Sequence, residues 1–123
     1  MQGRRPGARI VSSTASRRRP RGAVTWIDRD RALVARERSD GGIAISAVDR
    51  ERADRTAYLG RVAREIGDRD RLVIMGPGPL RTELEREYVV TYRRPDRLVD
   101  VEPAAEMTEA ELIRRLDELD GRS

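Results

Sequence analysis

The segment Arg71-Leu72-Val73-Ile74-Met75-Gly76-Pro77-Gly78-Pro79-Leu80-Arg81-Thr82-Glu83-Leu84 passes from an unbroken apolar run, through a glycine- and proline-rich loop, into a helical pattern. An uninterrupted apolar strand is the mark of one covered on both faces by helices, so Arg71–Met75 is predicted as the central strand of a layered α/β domain. Beyond the loop, Leu80, Leu84 and Tyr88 fall on one helical face, and Pro79 suits the first turn of a helix. Val89-Val90-Thr91-Tyr92 is assigned to the end of that helix by its position, although its β-branched residues favour a strand.

Working towards the amino terminus, Leu59, Val62, Ala63 and Ile66 have the spacing of a buried helical stripe. They predict an amphipathic helix from about Asp49 to Ile66, ended by Gly67-Asp68. Before it, Val24-Thr25-Trp26-Ile27, Ala32-Leu33-Val34-Ala35 and Ile43–Val48 are β-rich runs separated by the turn signals Asp28-Arg29-Asp30 and Asp40-Gly41-Gly42. Towards the carboxyl terminus, Arg93–Arg97 is a polar loop containing a proline, and Leu98-Val99-Asp100-Val101 is a short strand. Thr108 with Glu111 forms a capping box, with Met107 placed to staple onto Leu112. Leu112, Ile113, Leu116 and Leu119 make an apolar face that Gly121 ends. The order βββ-α-β-α-β-α predicts a single-domain three-layer α/β/α sandwich with a mixed sheet, spanning residues 23–120 with a tail at 121–123.

The chain has 123 residues, 26 basic and 22 acidic, with no His and no Cys, and every cation is Arg. Thiolate nucleophiles, disulfides, Cys/His zinc sites and Schiff-base lysines are thereby excluded, and neither a cofactor nor a metal is expected. Residues 1–22 hold seven Arg and no acid, leaving 19 Arg against 22 acids, a net −3, in the rest. This basic arm is rich in Gly, Pro and Ser and is expected to be disordered. Ile10-Val11 is too short for the apolar core of a secretory signal, and no run is long enough to span a bilayer, so a cytoplasmic protein is expected. The absence of Lys, Asn, His and Phe suggests a GC-rich bacterial genome.

Two readings of Gly76-Pro77-Gly78 stay open. A helix start at the carboxyl end of a strand offers unpaired N–H groups and a positive dipole end to an anion, with Arg81 and Thr82 one turn in. The simpler reading is a tight strand-to-helix turn, and the prolines remove two N–H donors. Asp28 and Asp30 are ordinary turn residues, Glu83, Glu85 and Glu87 form a solvated face with Arg81 and Arg86, and Trp26 is either a core residue or a base-stacking one. No acid/base pair is nominated. The cluster Arg17-Arg18-Arg19-Pro20-Arg21 will neutralise phosphates almost regardless of sequence.

Val24-Thr25-Trp26-Ile27-Asp28, Leu72–Leu84 with its Gly-Pro-Gly loop, and Val99-Asp100-Val101-Glu102 followed by Met107-Thr108-Glu109 together resemble small bacterial proteins related to the C-terminal domain, domain 3, of archaeal and eukaryotic peptide-chain release factors and Pelota. The resemblance covers residues 23–119 and implies an α/β/α sandwich acting as a ribosome-associated or partner-binding module. Where that family has His after Trp-Ile-Asp this chain has Arg29, and where it has Lys in the loop's helix this chain has Arg81. The segment Val89–Arg97 is shorter than the family's. Asp40-Gly41-Gly42-Ile43 lacks the Gln of the glycine-glycine-glutamine loop, so no peptidyl-tRNA hydrolase activity is expected.

The leading expectation is a non-enzymatic translation module with Gly76, Gly78, Arg81, Thr82, Asp28 and Arg29 as its anion-, RNA- or partner-binding residues and Arg17, Arg18, Arg19 and Arg21 as a nucleic-acid arm. The alternative is a small-anion or nucleotide-phosphate binder, or an enzyme acting on such a ligand, built on the same loop. A third reading is a homodimer formed through an edge strand or the last helix.

Overall fold

A computed structural model describes residues 22–93 and 99–119. Five strands and three helices occur among them, in the predicted order. These are β1 (Gly22–Ile27), β2 (Arg31–Glu37), β3 (Ile43–Asp49), α1 (Arg55–Ile66), β4 (Arg71–Gly76), α2 (Leu80–Tyr92), β5 (Val99–Pro103) and α3 (Glu109–Leu119). They form a mixed five-stranded sheet in the order β3-β2-β1-β4-β5. The hairpins pair β1, β2 and β3 antiparallel, and the two helical crossovers make β4 parallel to β1 and β5 parallel to β4.

The strand in the middle is therefore β1, and β4 lies between it and β5. Local pattern marks both as buried, but only the crossover through α1 decides that β4 takes the free side of β1. A second correction concerns α1. It starts at Arg55 rather than near Asp49, because β3 runs on to Asp49 and the Asp54 carboxylate, as N-cap, accepts from the Ala57 N–H at 2.8 Å. At its far end Gly67, with φ +76°, donates to the Ala63 carbonyl at 3.1 Å.

Alternation along the strands sorts the core into two layers. Ile27, Val34, Leu72 and Ile74 face α1 and α2 and pack with Tyr58, Val62, Ile66, Leu84 and Tyr88. Val24, Trp26, Leu33, Val73 and Met75 face α3 and pack with Leu112 and Leu116. Trp26 is a core residue with 2% exposure, and its indole Nε1–H donates to the Ala105 carbonyl at 2.8 Å, tying the segment before α3 to the sheet. The capping box forms as expected: Glu111 Oε1 accepts from the Thr108 N–H at 2.8 Å, and Thr108 Oγ1 accepts from the Glu111 N–H at 3.1 Å. Met107 packs on the cluster that contains Leu112.

At the amino-terminal end of β4 a buried arginine closes the domain. Arg69 is 8% exposed and donates from Nε to the Ile66 carbonyl at 2.8 Å and from Nη1 to the Glu37 carbonyl at 2.7 Å. Its N–H donates to the Tyr88 hydroxyl at 2.7 Å, which in turn donates to the Gly67 carbonyl at 2.8 Å. The arm residues 1–21, the loop beyond Arg93 as far as Leu98, and the tail from Asp120 lie outside the described residues.

Candidate functional site

A cleft of about 500 Å³ opens at the carboxyl ends of β1 and β4. Ligands of open α/β sheets collect at such strand ends, because loops leaving adjacent strands diverge there. One wall is the β1–β2 turn. Asp28 Oδ1 accepts from the N–H groups of Asp30 at 2.8 Å and Arg31 at 2.9 Å, and the Asp28 N–H donates to the Arg31 carbonyl at 3.0 Å. This Asx-type bonding is why Asp occupies the position, and it places Arg29 at the exposed tip.

The opposite wall is Pro77-Gly78-Pro79-Leu80. Gly76, beneath it, lies so close to β1 that a Cβ there would overlap the Ile27 carbonyl oxygen, so this position accepts only glycine. Arg81 turns back beneath the loop, its Nη1 donating to the Gly76 carbonyl at 2.8 Å and the Gly78 carbonyl at 2.9 Å. The N–H groups of Thr82 and Glu83 both reach the Pro79 carbonyl, at 3.0 and 3.2 Å, and no side chain caps the helix.

Of the residues singled out from sequence, Asp28, Arg29 and Gly78 line the cleft together, while Gly76 and Arg81 shape its wall from beneath. Thr82 is exposed on α2 and outside the lining. Arg50, Arg55 and Glu83 complete the lining. Glu83 pairs with Arg55 of α1 at 3.1 Å, across the helices rather than with a neighbour on its own helix.

Arg50 and Tyr58 brace the cleft floor, and nothing in their local sequence marks them. Arg50 donates from Nε to the Ala53 carbonyl at 2.9 Å and from Nη1 to the Arg29 carbonyl at 3.3 Å, with its guanidinium 5.6 Å from the centre of the Tyr58 ring. The Tyr58 hydroxyl donates to the Asp28 carbonyl at 2.9 Å. Burial, with Asp28 next in effect, holds its phenol well above the ordinary tyrosine range, so it acts as a hydrogen-bond donor and not as an acid.

The lining carries three carboxylates, Asp28, Asp30 and Glu83, and three guanidiniums, Arg29, Arg50 and Arg55. Such a cleft is electrically balanced. Among the described residues, no group of three or more acidic side chains is placed to hold a metal, and no helix is long and apolar enough to cross a membrane.

No protein-family model matches the chain, and no curated protein matches it in sequence. Similarity appears in structure. Pelota from Archaeoglobus fulgidus superposes with a TM-score of 0.60 at 18% identity, over 90% of this chain and 35% of that one. Pelota from Thermoplasma acidophilum superposes with a TM-score of 0.54 at 15% identity, over 94% of this chain and 38% of that one. The chain thus spans little more than a third of either Pelota protein, and what it has in common with them is the fold of a Pelota-like domain.

Proposed function

We propose that this chain is a non-enzymatic, translation-associated binding module, bacterial and cytoplasmic, whose α/β body docks on the ribosome or one of its protein partners through the β1–β4 cleft. The observation that carries this reading is the Pelota-like fold over 90% of the chain. The charge balance of the cleft supports a protein contact for the body, since a surface that grips a polyanion is predominantly basic. Affinity for RNA then comes from the arm, residues 1–22, through Arg17, Arg18, Arg19 and Arg21, and depends on salt as phosphate contacts do. The turn of Arg81 onto the Gly76 and Gly78 carbonyls supports this reading over an anion cradle, because it draws the guanidinium beneath the loop and outside the cleft lining, away from where a phosphate would sit.

Co-sedimentation with ribosomes across a salt series tests the proposal, using the full chain, a chain beginning at Gly22, and the full chain with Arg29→Glu and Arg55→Glu together. Pelleting of the first two, with loss in the double variant, is the expected result. Pelleting of the full chain alone, collapsing as salt rises, would reduce the interaction to arm electrostatics and sink the docking claim. A thermal shift on adding phosphate or nucleotides that disappears in Arg81→Ala would instead favour the anion binder.

A further inference from the structure

The edge strand β3 carries an open hydrogen-bonding face. The Arg38 N–H donates to the Gly42 carbonyl at 2.7 Å, and the Arg50 N–H donates to the Asp30 carbonyl at 2.9 Å. Antiparallel ladders alternate, so with those bonds at either end the backbone groups of residues 44, 46 and 48 also point at β2. The N–H and C=O groups of Ile43, Ile45 and Ala47 therefore point away from the sheet. Among the described residues no element lies beyond β3, and nothing bonds those groups. The next outward group, the Asp49 carbonyl, accepts from Arg61 Nη2 at 2.9 Å.

Edges of this kind are normally blunted by a lysine, a proline or an inward charge. Residues 43–48 contain none of these. What flanks the edge differs between its two sides. Towards α3, Ile43 and Ile45 lie half-exposed at the margin of the core. Towards α1, a groove of about 340 Å³ is lined by Ala47, Val48, Arg61, Arg64 and Glu65. Glu65 is already paired with Arg36 at 3.1 Å, whereas Arg61 and Arg64 have no ion-pair partner among the described residues.

We propose that β3 is a docking edge for an extended segment of a partner protein whose side chains alternate between apolar and acidic. Backbone pairing to Ile43, Ile45 and Ala47 aligns such a segment as a sixth strand. Its period of two then sets apolar side chains beside Ile43 and Ile45 and carboxylates beside Arg61 and Arg64. A second copy of this chain fits less well. Two-fold pairing of β3 with itself puts the Arg61 and Arg64 groups of both copies on the same face of the joined sheet, with like charges facing each other. This edge is separate from the β1–β4 cleft, and the proposal stands or falls independently of the ribosome reading.

Backbone amide exchange on the full chain tests it, with a short capped peptide of alternating Val and Glu as the probe. Peptides of alternating Val and Lys, and of the same Val and Glu residues in two blocks, are the controls. The expected result is that the N–H groups of Ile43, Ile45 and Ala47 exchange freely alone and are slowed at least about tenfold by the alternating acidic peptide only. Arg61→Glu with Arg64→Glu is expected to weaken that peptide about tenfold. Ala47→Pro, which removes an outward N–H and no bond to β2, is expected to weaken it about threefold or more. Equal protection by the Lys peptide would overturn the proposal, as would binding that both sets of variants leave unchanged, the signature of the Arg-rich arm. A dimer by light scattering that Ala47→Pro dissociates would assign the edge to a second copy and also overturn it.

Discussion

The two ends of the β1–β4 pair use arginine in opposite ways. At the amino-terminal end Arg69 is buried, its guanidinium bridging the Ile66 and Glu37 carbonyls while Tyr88 joins its backbone to Gly67. Burial, with Arg36 as the next cause, pulls its pKa down, yet guanidinium keeps its charge, so the hydrogen bonds are charge-assisted. At the carboxyl end Arg29 and Arg55 are exposed around a cleft, and the Arg55–Glu83 pair lies in water. The same residue type is a structural bolt where carbonyls lack solvent and a recognition group where water can be displaced.

The sharpest way to break the contrast is Gly76→Ala. A methyl group driven into the Ile27 carbonyl must push β4 from β1, so a loss of about 3 kcal/mol is expected in urea unfolding, together with loss of the cleft. Arg69→Ala comes next. It removes two buried charge-assisted hydrogen bonds, those from Arg69 to the Glu37 and Ile66 carbonyls, and a loss of about 2 kcal/mol is expected, with ribosome co-sedimentation of the folded fraction unchanged. Arg55→Ala should do the reverse, moving stability by no more than about 0.5 kcal/mol because its ion pair is exposed, while weakening co-sedimentation.

The smallest effect is one of pH, at α3. Hydrogen bonds from Thr108 hold the Glu111 carboxyl below its ordinary value. A depressed carboxylate pKa contributes stability above the unfolded value, and that contribution is lost as pH falls through the folded one. Helicity followed by circular dichroism between about pH 5 and about pH 2 should therefore start lower in Glu111→Gln than in the parent chain and fall less, the two converging as Glu111 protonates, since an amide cannot titrate there. Coincident curves would show that the capping box contributes nothing to the acid limb.

Much of the fold was legible in the sequence because its signals are local. Leu72–Met75 marked an inner strand, Thr108 with Glu111 marked the start of α3, and Leu59, Val62, Ala63 and Ile66 marked the buried face of α1. The start of α1 lies about six residues beyond the position that the local pattern predicts, since Asp54 alone is a weak N-cap signal and the limit of β3 depends on its partner β2. At the site, Asp28, Arg29 and the Gly-Pro-Gly loop carried turn chemistry that can be recognised along the chain. Arg50, Arg55 and Tyr58 did not, because they join the cleft from other elements.

By itself, then, the sequence determined the class of fold, the order of its elements, the caps and turns, and the exclusion of thiol, imidazole and lysine chemistry. Each of these depends on residue type or on spacing within a few positions. Only the tertiary structure decided that β1 is the middle strand, that Arg81 closes its own loop, that Arg69 is a buried bolt, and that β3 is an edge with its hydrogen bonds open. Those outcomes depend on which groups meet across long separations in the chain. Packing and the demand that buried polar groups be paired settle them, and no local pattern records either.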